Sequence, residues 1–122
     1  MPASRPEAPV LLDAAIDYLE RELLPTLAGH HRFQCRVTAN VLAQVRRELA
    51  LAPAQAEAER ERLVTLLGHD GERDTLSREL AKKIRAGELP LDDPALLAHL
   101  RLTLVEALRI NNPKWLREEE TA

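Results

Sequence analysis

Large aromatic side chains are almost missing from this sequence: Tyr18, Phe33 and Trp115 are the only three in 122 residues. A deep ligand pocket is usually walled by such groups, so their scarcity argues against one. Cys35 is the sole cysteine, which excludes an intramolecular disulfide. The four glycines are scattered, so no Gly-rich phosphate loop can form, and no Cys pair, HExxH or GxSxG occurs. No run approaches the ~18 apolar residues of a membrane span. The opening MPASRPEAPV has no apolar signal region, so a cytoplasmic protein that does not enter membranes is expected. Basic charge is not in excess either: 17 Lys and Arg against 20 Asp and Glu leave a net charge of −3. Nucleic acid is therefore not an expected partner.

What the chain does have is leucine and alanine, 23 and 18 residues, against nine valines and isoleucines. That balance favours helix over sheet, because β-branched residues are scarce. The periodicity predicts an all-α, single-domain bundle of five helices. Residues 1–8 read as a flexible lead-in, 9–116 as the helical domain and 117–122 as an acidic, frayed tail. A first helix carries Leu12, Ile16, Leu19 and Leu23 on one face and ends ahead of Pro25. A second runs from about His30–Phe33 to Leu51 before Pro53, and a third from Ala54 to Leu67, closed by Gly68. Asp74 caps a fourth with the stripe Leu76, Leu80, Ile84, closed by Gly87. Asp93-Pro94 starts a fifth, with Leu96, Leu97, Leu100, Leu104 and Leu108 on its inner face and Asn111-Asn112-Pro113 as its stop.

The second helix is expected to be central. Phe33, Val37, Val41, Val45 and Leu49 recur every fourth residue, and with Leu42 and Cys35 they cover roughly 200° of the circumference. Phe33, Val41 and Leu42 are accordingly predicted core residues. Glu48 falls inside that arc. A carboxylate there is either a general base or a partly buried structural group paired with a cation, and the second is expected.

Three further features could carry chemistry. His31 and Cys35, one helical turn apart, have a zinc-chelating spacing, with His30, His69 or His99 as a third ligand. Two ligands are not a site, so no metal or cofactor is expected. Arg36 and Asn40 share a face and could hold an anion or a partner's carboxylate, or could brace a neighbouring loop. Leu102 and Val105 point away from the fifth helix's leucine stripe and are adjacent on the helix surface. They mark contact with another chain, unless Trp115 and Leu116 fold back over them.

The run LLDAAIDYLERELLPTLAGHHRFQCRVTANVLAQVRREL, followed by AKKIRAGELPLDDPALLAHLRLTLVEALRINNPKW, resembles an uncharacterised bacterial family of all-helical domains. The likeness spans about residues 10–115, and its most specific pieces are RVTANVLAQVRREL, KKIRAGEL, AHLR and INNPKW. Such domains occur free, or fused behind kinases of the aminoglycoside-phosphotransferase fold near acyl-CoA dehydrogenases. They look similar to the small companion of the two-part hydroxyacyl-CoA kinase of levulinate-type catabolism. The resemblance implies a non-catalytic accessory subunit with no catalytic residues to carry over. Its partner would be a phosphotransferase-fold kinase, with a homo-oligomer as a further association to test. The alternative is a small-ligand or acyl-binding domain, or an enzyme in its own right, which would need an enclosed cavity.

Overall fold

The structure, a computed structural model, describes residues 7–120 of the chain. Most of the expected lead-in and the last two residues of the tail lie outside that range. Among the described residues there is no strand, and four α-helices carry the fold: α1 (Ala8–Asp17), α2 (Gly29–Leu67), α3 (Arg73–Arg85) and α4 (Pro94–Asn111). Two compact units divide at Ala52–Pro53.

The helix count is four, not five, because α2 runs straight through Pro53 where a stop was predicted. Proline deprives the Leu49 carbonyl of its usual N–H donor and costs about 3 kcal/mol in a helix interior. It stands in the run LALAPAQAEAERER, rich in alanine and long straight side chains, which are the strongest helix formers. The second and third predicted helices are thus one 39-residue element.

The first unit is a pair of antiparallel helices. Leu12, Ile16, Leu19 and Leu23, the stripe read from the sequence, are all half-buried in the first helical segment. Pro25 disrupts its end: α1 passes into a π-helical turn at Tyr18–Leu23 and a 3-10 turn at Leu24–Thr26. The facing side of α2 carries Cys35, Ala39, Leu42 and Arg46. Three contacts set the register: Arg46 to Asp13 at 3.0 Å, the Cys35 thiol to the Leu19 carbonyl at 3.6 Å, and Arg32 to the Leu24 carbonyl at 2.9 Å.

This pairing overturns the expectation of a central second helix. Cys35 and Ala39, at 8% and 2% exposure, are the buried hydrophobic residues of this unit, whereas Phe33 is 62% and Val41 53% exposed. Leu42 is only half-buried. Small side chains let the two helices approach closely, so the pairing uses the narrow Cys35–Ala39 face. The wide valine row is left outside. Glu48 is exposed as well, not partly buried beside a cation.

The second unit holds the hydrophobic core. Leu63, Leu76 and Leu96 are wholly buried and Leu80 nearly so, with Val64, Leu66, Leu67, Ile84 and Leu89 packed around them. These side chains come from the C-terminal part of α2, from α3 with its following loop, and from α4. Gly87, at φ +74, closes α3: its N–H bonds the Ile84 carbonyl and that of Glu88 the Lys83 carbonyl. That is the left-handed helix stop a glycine permits at no steric cost. The start of α3 is two residues earlier than predicted, at Arg73, with Glu72 as the capping residue in place of Asp74.

On α4 the buried residues are Leu96, His99, Val105 and Ile110, whereas Leu97, Leu100 and Leu104 are exposed. Of the predicted five-leucine inner face, Leu96 is buried and Leu108 half-buried, while the three between them face outward. Nor is the tail from 117 frayed over its described part. Glu118–Glu120 form a 3-10 turn in which Glu120 is bonded by Arg101, while Arg109 donates to its carbonyl at 2.8 Å. Arg101 and Arg109 lie one turn either side of Val105, so the tail crosses the helix face on which Val105 sits.

A Leu76→Ala substitution should lower the unfolding free energy by about 2–5 kcal/mol in denaturant melts, because it leaves a cavity at the centre of this cluster. Leu104→Ala, at a 67% exposed position, should change it by less than about 0.5 kcal/mol.

Candidate functional site

The densest polar cluster lies inside the second unit, between α2 and α4. Arg62 donates through Nε to His99 Nδ1 at 3.1 Å and through one terminal nitrogen to Thr103 Oγ1 at 3.2 Å and Glu106 Oε1 at 3.0 Å. The Thr103 hydroxyl donates to the His99 carbonyl, and Gln55 donates to the Glu106 carbonyl at 2.9 Å. Arg62 and Glu106 side chains are 20% and 13% exposed, and His99 is 5% exposed. Desolvation and the Arg62 charge hold the His99 pKa below its ordinary value. Because Nδ1 accepts from Arg62, the ring is neutral with its proton on Nε2. The guanidinium is offset by the Glu106 carboxylate, so the cluster is charge-balanced and works as a brace between two helices. It offers no activated nucleophile.

A second histidine behaves in the opposite way. His69, in the turn after α2, reaches the Asp70 carbonyl through Nδ1 at 3.0 Å and the Glu79 carboxylate through Nε2 at 2.8 Å. Two acceptors demand two N–H groups, so the protonated ring is favoured and its pKa is raised, chiefly by Glu79. Beside it Arg60 bridges Glu57 at 2.8 Å and Asp70 at 2.7 Å, and its guanidinium holds the Glu57 pKa below the usual range.

The residues singled out from the sequence are scattered. Arg36 and Asn40 are exposed on the first unit's part of α2. Leu102 is 40% exposed but Val105 is buried at 8%, so the two do not form a shared surface patch. Trp115 does not cover them, being 76% exposed; the chain that crosses the Val105 face is the Glu118–Glu120 turn. Cys35 is buried with its thiol on the Leu19 carbonyl, and His31 is exposed. Among the described residues no three His, Cys, Asp or Glu side chains converge as metal ligands. Surface hollows lined by Asp74, Ser77, Arg78 and Ala81, and by Arg60, Glu61, Val64, Thr65 and Asp70, open to solvent. No helix among the described residues is long and apolar enough to cross a membrane.

The Arg62 brace was not read from the sequence, although a signal was present. His99, Thr103 and Glu106 follow a 4-3 spacing within a leucine-rich helix, a polar stripe on one face. Glu59, one turn before Arg62 on the same helix, faces Arg73 at 3.6 Å.

Residues 25–115 match the family described as Domain of unknown function (DUF6285). The chain belongs to that family. No curated protein and no solved structure matches it. The matched DUF6285 span starts at Pro25 and ends at Trp115, and so contains both the Arg62 brace and the exposed row of α2.

The histidines separate by pH window. His99, with its lowered pKa, contributes stability that is complete above about pH 6.5 and is lost as the pH falls, because the unfolded chain takes the proton first. His69, with its raised pKa, contributes stability that is complete below about pH 6.5 and is lost as the pH rises. Thermal melts should therefore show His99→Gln flattening the profile between pH 7 and 5, and His69→Gln flattening it between pH 6.5 and 8. Arg62→Met should cost about 3 kcal/mol by leaving Glu106 and His99 without their donor. Arg46→Met, which breaks only the half-exposed pair with Asp13, should cost less than about 1 kcal/mol.

Proposed function

We propose that this DUF6285 domain is a non-catalytic accessory subunit of a phosphotransferase-fold kinase acting on hydroxyacyl-CoA intermediates. The partner class comes from the resemblance of RVTANVLAQVRREL, KKIRAGEL, AHLR and INNPKW. The observation that carries the reading is the outer face of α4. Leu97, Leu100 and Leu104 follow one another at three- and four-residue spacing and are 50%, 40% and 67% exposed. A single exposed leucine is ordinary, but three on one helix face form a ridge suited to a groove on another protein. Their helix is fixed from behind by Arg62 and Leu96, so the ridge is presented rigidly. In this reading Leu97, Leu100 and Leu104 replace Leu102 and Val105 as the contact residues.

The test is a reconstitution with a purified phosphotransferase-fold kinase and a 4-hydroxyacyl-CoA, following nucleotide turnover. The expected result is a rate increase on adding the protein, abolished by Leu100→Glu with Leu104→Glu while the melting temperature stays within a degree or two. A kinase rate that ignores the protein at micromolar concentration would reject the reading.

A further inference from the structure

We infer that the first unit associates with a second copy of this chain through the exposed row of α2, with Val41 on a two-fold axis. This goes beyond the kinase reading and rests on a different surface.

The first observation is a shortage of burial. Among the described residues of this unit the buried hydrophobics are Cys35 and Ala39, and no large side chain is enclosed. A helix pair with so little interior does not offset the conformational entropy lost on folding. Meanwhile Phe33, Val37, Val41, Val45 and Leu49 are 62%, 39%, 53%, 41% and 48% exposed. The apolar surface that would stabilise the unit exists, and it faces outward.

The second observation is the shape of that surface. The five residues are every fourth residue of one helix, an unbroken i±4 ridge. Ridges of this type pack against one another in the commonest helix-packing class, crossing at about −50°. This ridge is also self-complementary. A two-fold axis at Val41 sets Val37 against Val45 of the copy and Phe33 against Leu49. Crossed helices are closest at the crossing point and diverge from it, and the side chains follow: valines in the middle three positions, larger Phe33 and Leu49 at the ends. The charged Glu48 falls opposite Gln34 of the copy, so the pairing brings no like charges together within the row.

The third observation is area. The five apolar side chains expose roughly 400 Å². Gln34, Thr38, Gln44 and Glu48, interleaved on the same face, are all exposed, so complete burial of this face would approach the ~800 Å² per partner of a stable interface. An isologous contact of this size closes at two copies.

The experiment is sedimentation velocity on the full chain over a concentration series from about 1 to 100 µM, with two variants. Wild type should shift from one to two chain masses across the series. Val41→Asp, which sets two carboxylates face to face on the axis, should raise the dissociation constant at least a hundredfold and, at 100 µM, lower the helical circular dichroism to that of dilute wild type, because the first unit is then uncovered. Val41→Cys, oxidised mildly with diamide, should cross-link two chains, whereas wild type, with only the buried Cys35, should not. A wild type that stays monomeric at 100 µM would overturn the proposal. So would a dimer indifferent to Val41→Asp, or a monomeric Val41→Asp less helical than dilute wild type together with a Val41→Cys that fails to cross-link. Because no kinase is present, failure here leaves the accessory-subunit reading untouched.

Discussion

Four interlocked leucines carry the second unit. Leu63, Leu76, Leu80 and Leu96 come from three helices and enclose one another almost completely. Such a contact is strong because each methyl removed leaves a void that the neighbours cannot fill. The rest of the unit is arranged to keep those residues together. Gly68 and Gly87, both at positive φ, end α2 and α3 one and three residues beyond the cluster's outer members Leu67 and Ile84. Arg62, one position before Leu63, ties down His99, Thr103 and Glu106 along the same helix that delivers Leu96. A buried ion pair adds little net stability on its own. Here its geometric effect matters more: three hydrogen bonds fix the rotation of α4 about its axis, and that rotation decides which leucines point outward.

Much of this was legible in the sequence, and the main exceptions have identifiable causes. Helical content, the Leu12–Leu23 stripe, the Leu76–Leu80–Ile84 stripe, the Asp93-Pro94 start and the glycine stops all follow from local rules of spacing and backbone preference. The structure keeps each of them. Of the readings that failed, two had ranked faces by apolar content alone and a third had misjudged a proline. On α2 the broad valine row was assigned to the interior, but small side chains at Cys35 and Ala39 allow the closer helix approach. On α4 the leucine stripe was assigned inward, but the polar stripe His99–Thr103–Glu106 had a guanidinium waiting for it. At Pro53 a breaker was read as an end, although its alanine-rich surroundings are strongly helical. Arg36 and Asn40 stand exposed beside the α2 row, where the sequence could not distinguish a brace from a contact.

The misplaced apolar faces are also the informative ones. In a chain with three aromatics and few β-branched residues, an exposed Phe33 in line with three exposed valines is a large fraction of its strong hydrophobic groups. A second apolar ridge, on α4, has the same property. The described residues offer a charge-balanced brace, a histidine that holds a turn, and two ridges of apolar side chains. The accessory role proposed above would use the two ridges directly.

The most direct measurement is amide hydrogen exchange as a function of protein concentration. Amides of residues 63–67 and 76–84 report on the leucine cluster, and those of residues 33–49 on the first unit's helix. If the α2 row is covered by another copy, protection at 33–49 should rise steeply between dilute and concentrated protein while protection at 63–67 and 76–84 stays constant. Equal, concentration-independent protection in both stretches would contradict the account, since it would mean that the first unit is stable without anything covering its apolar row.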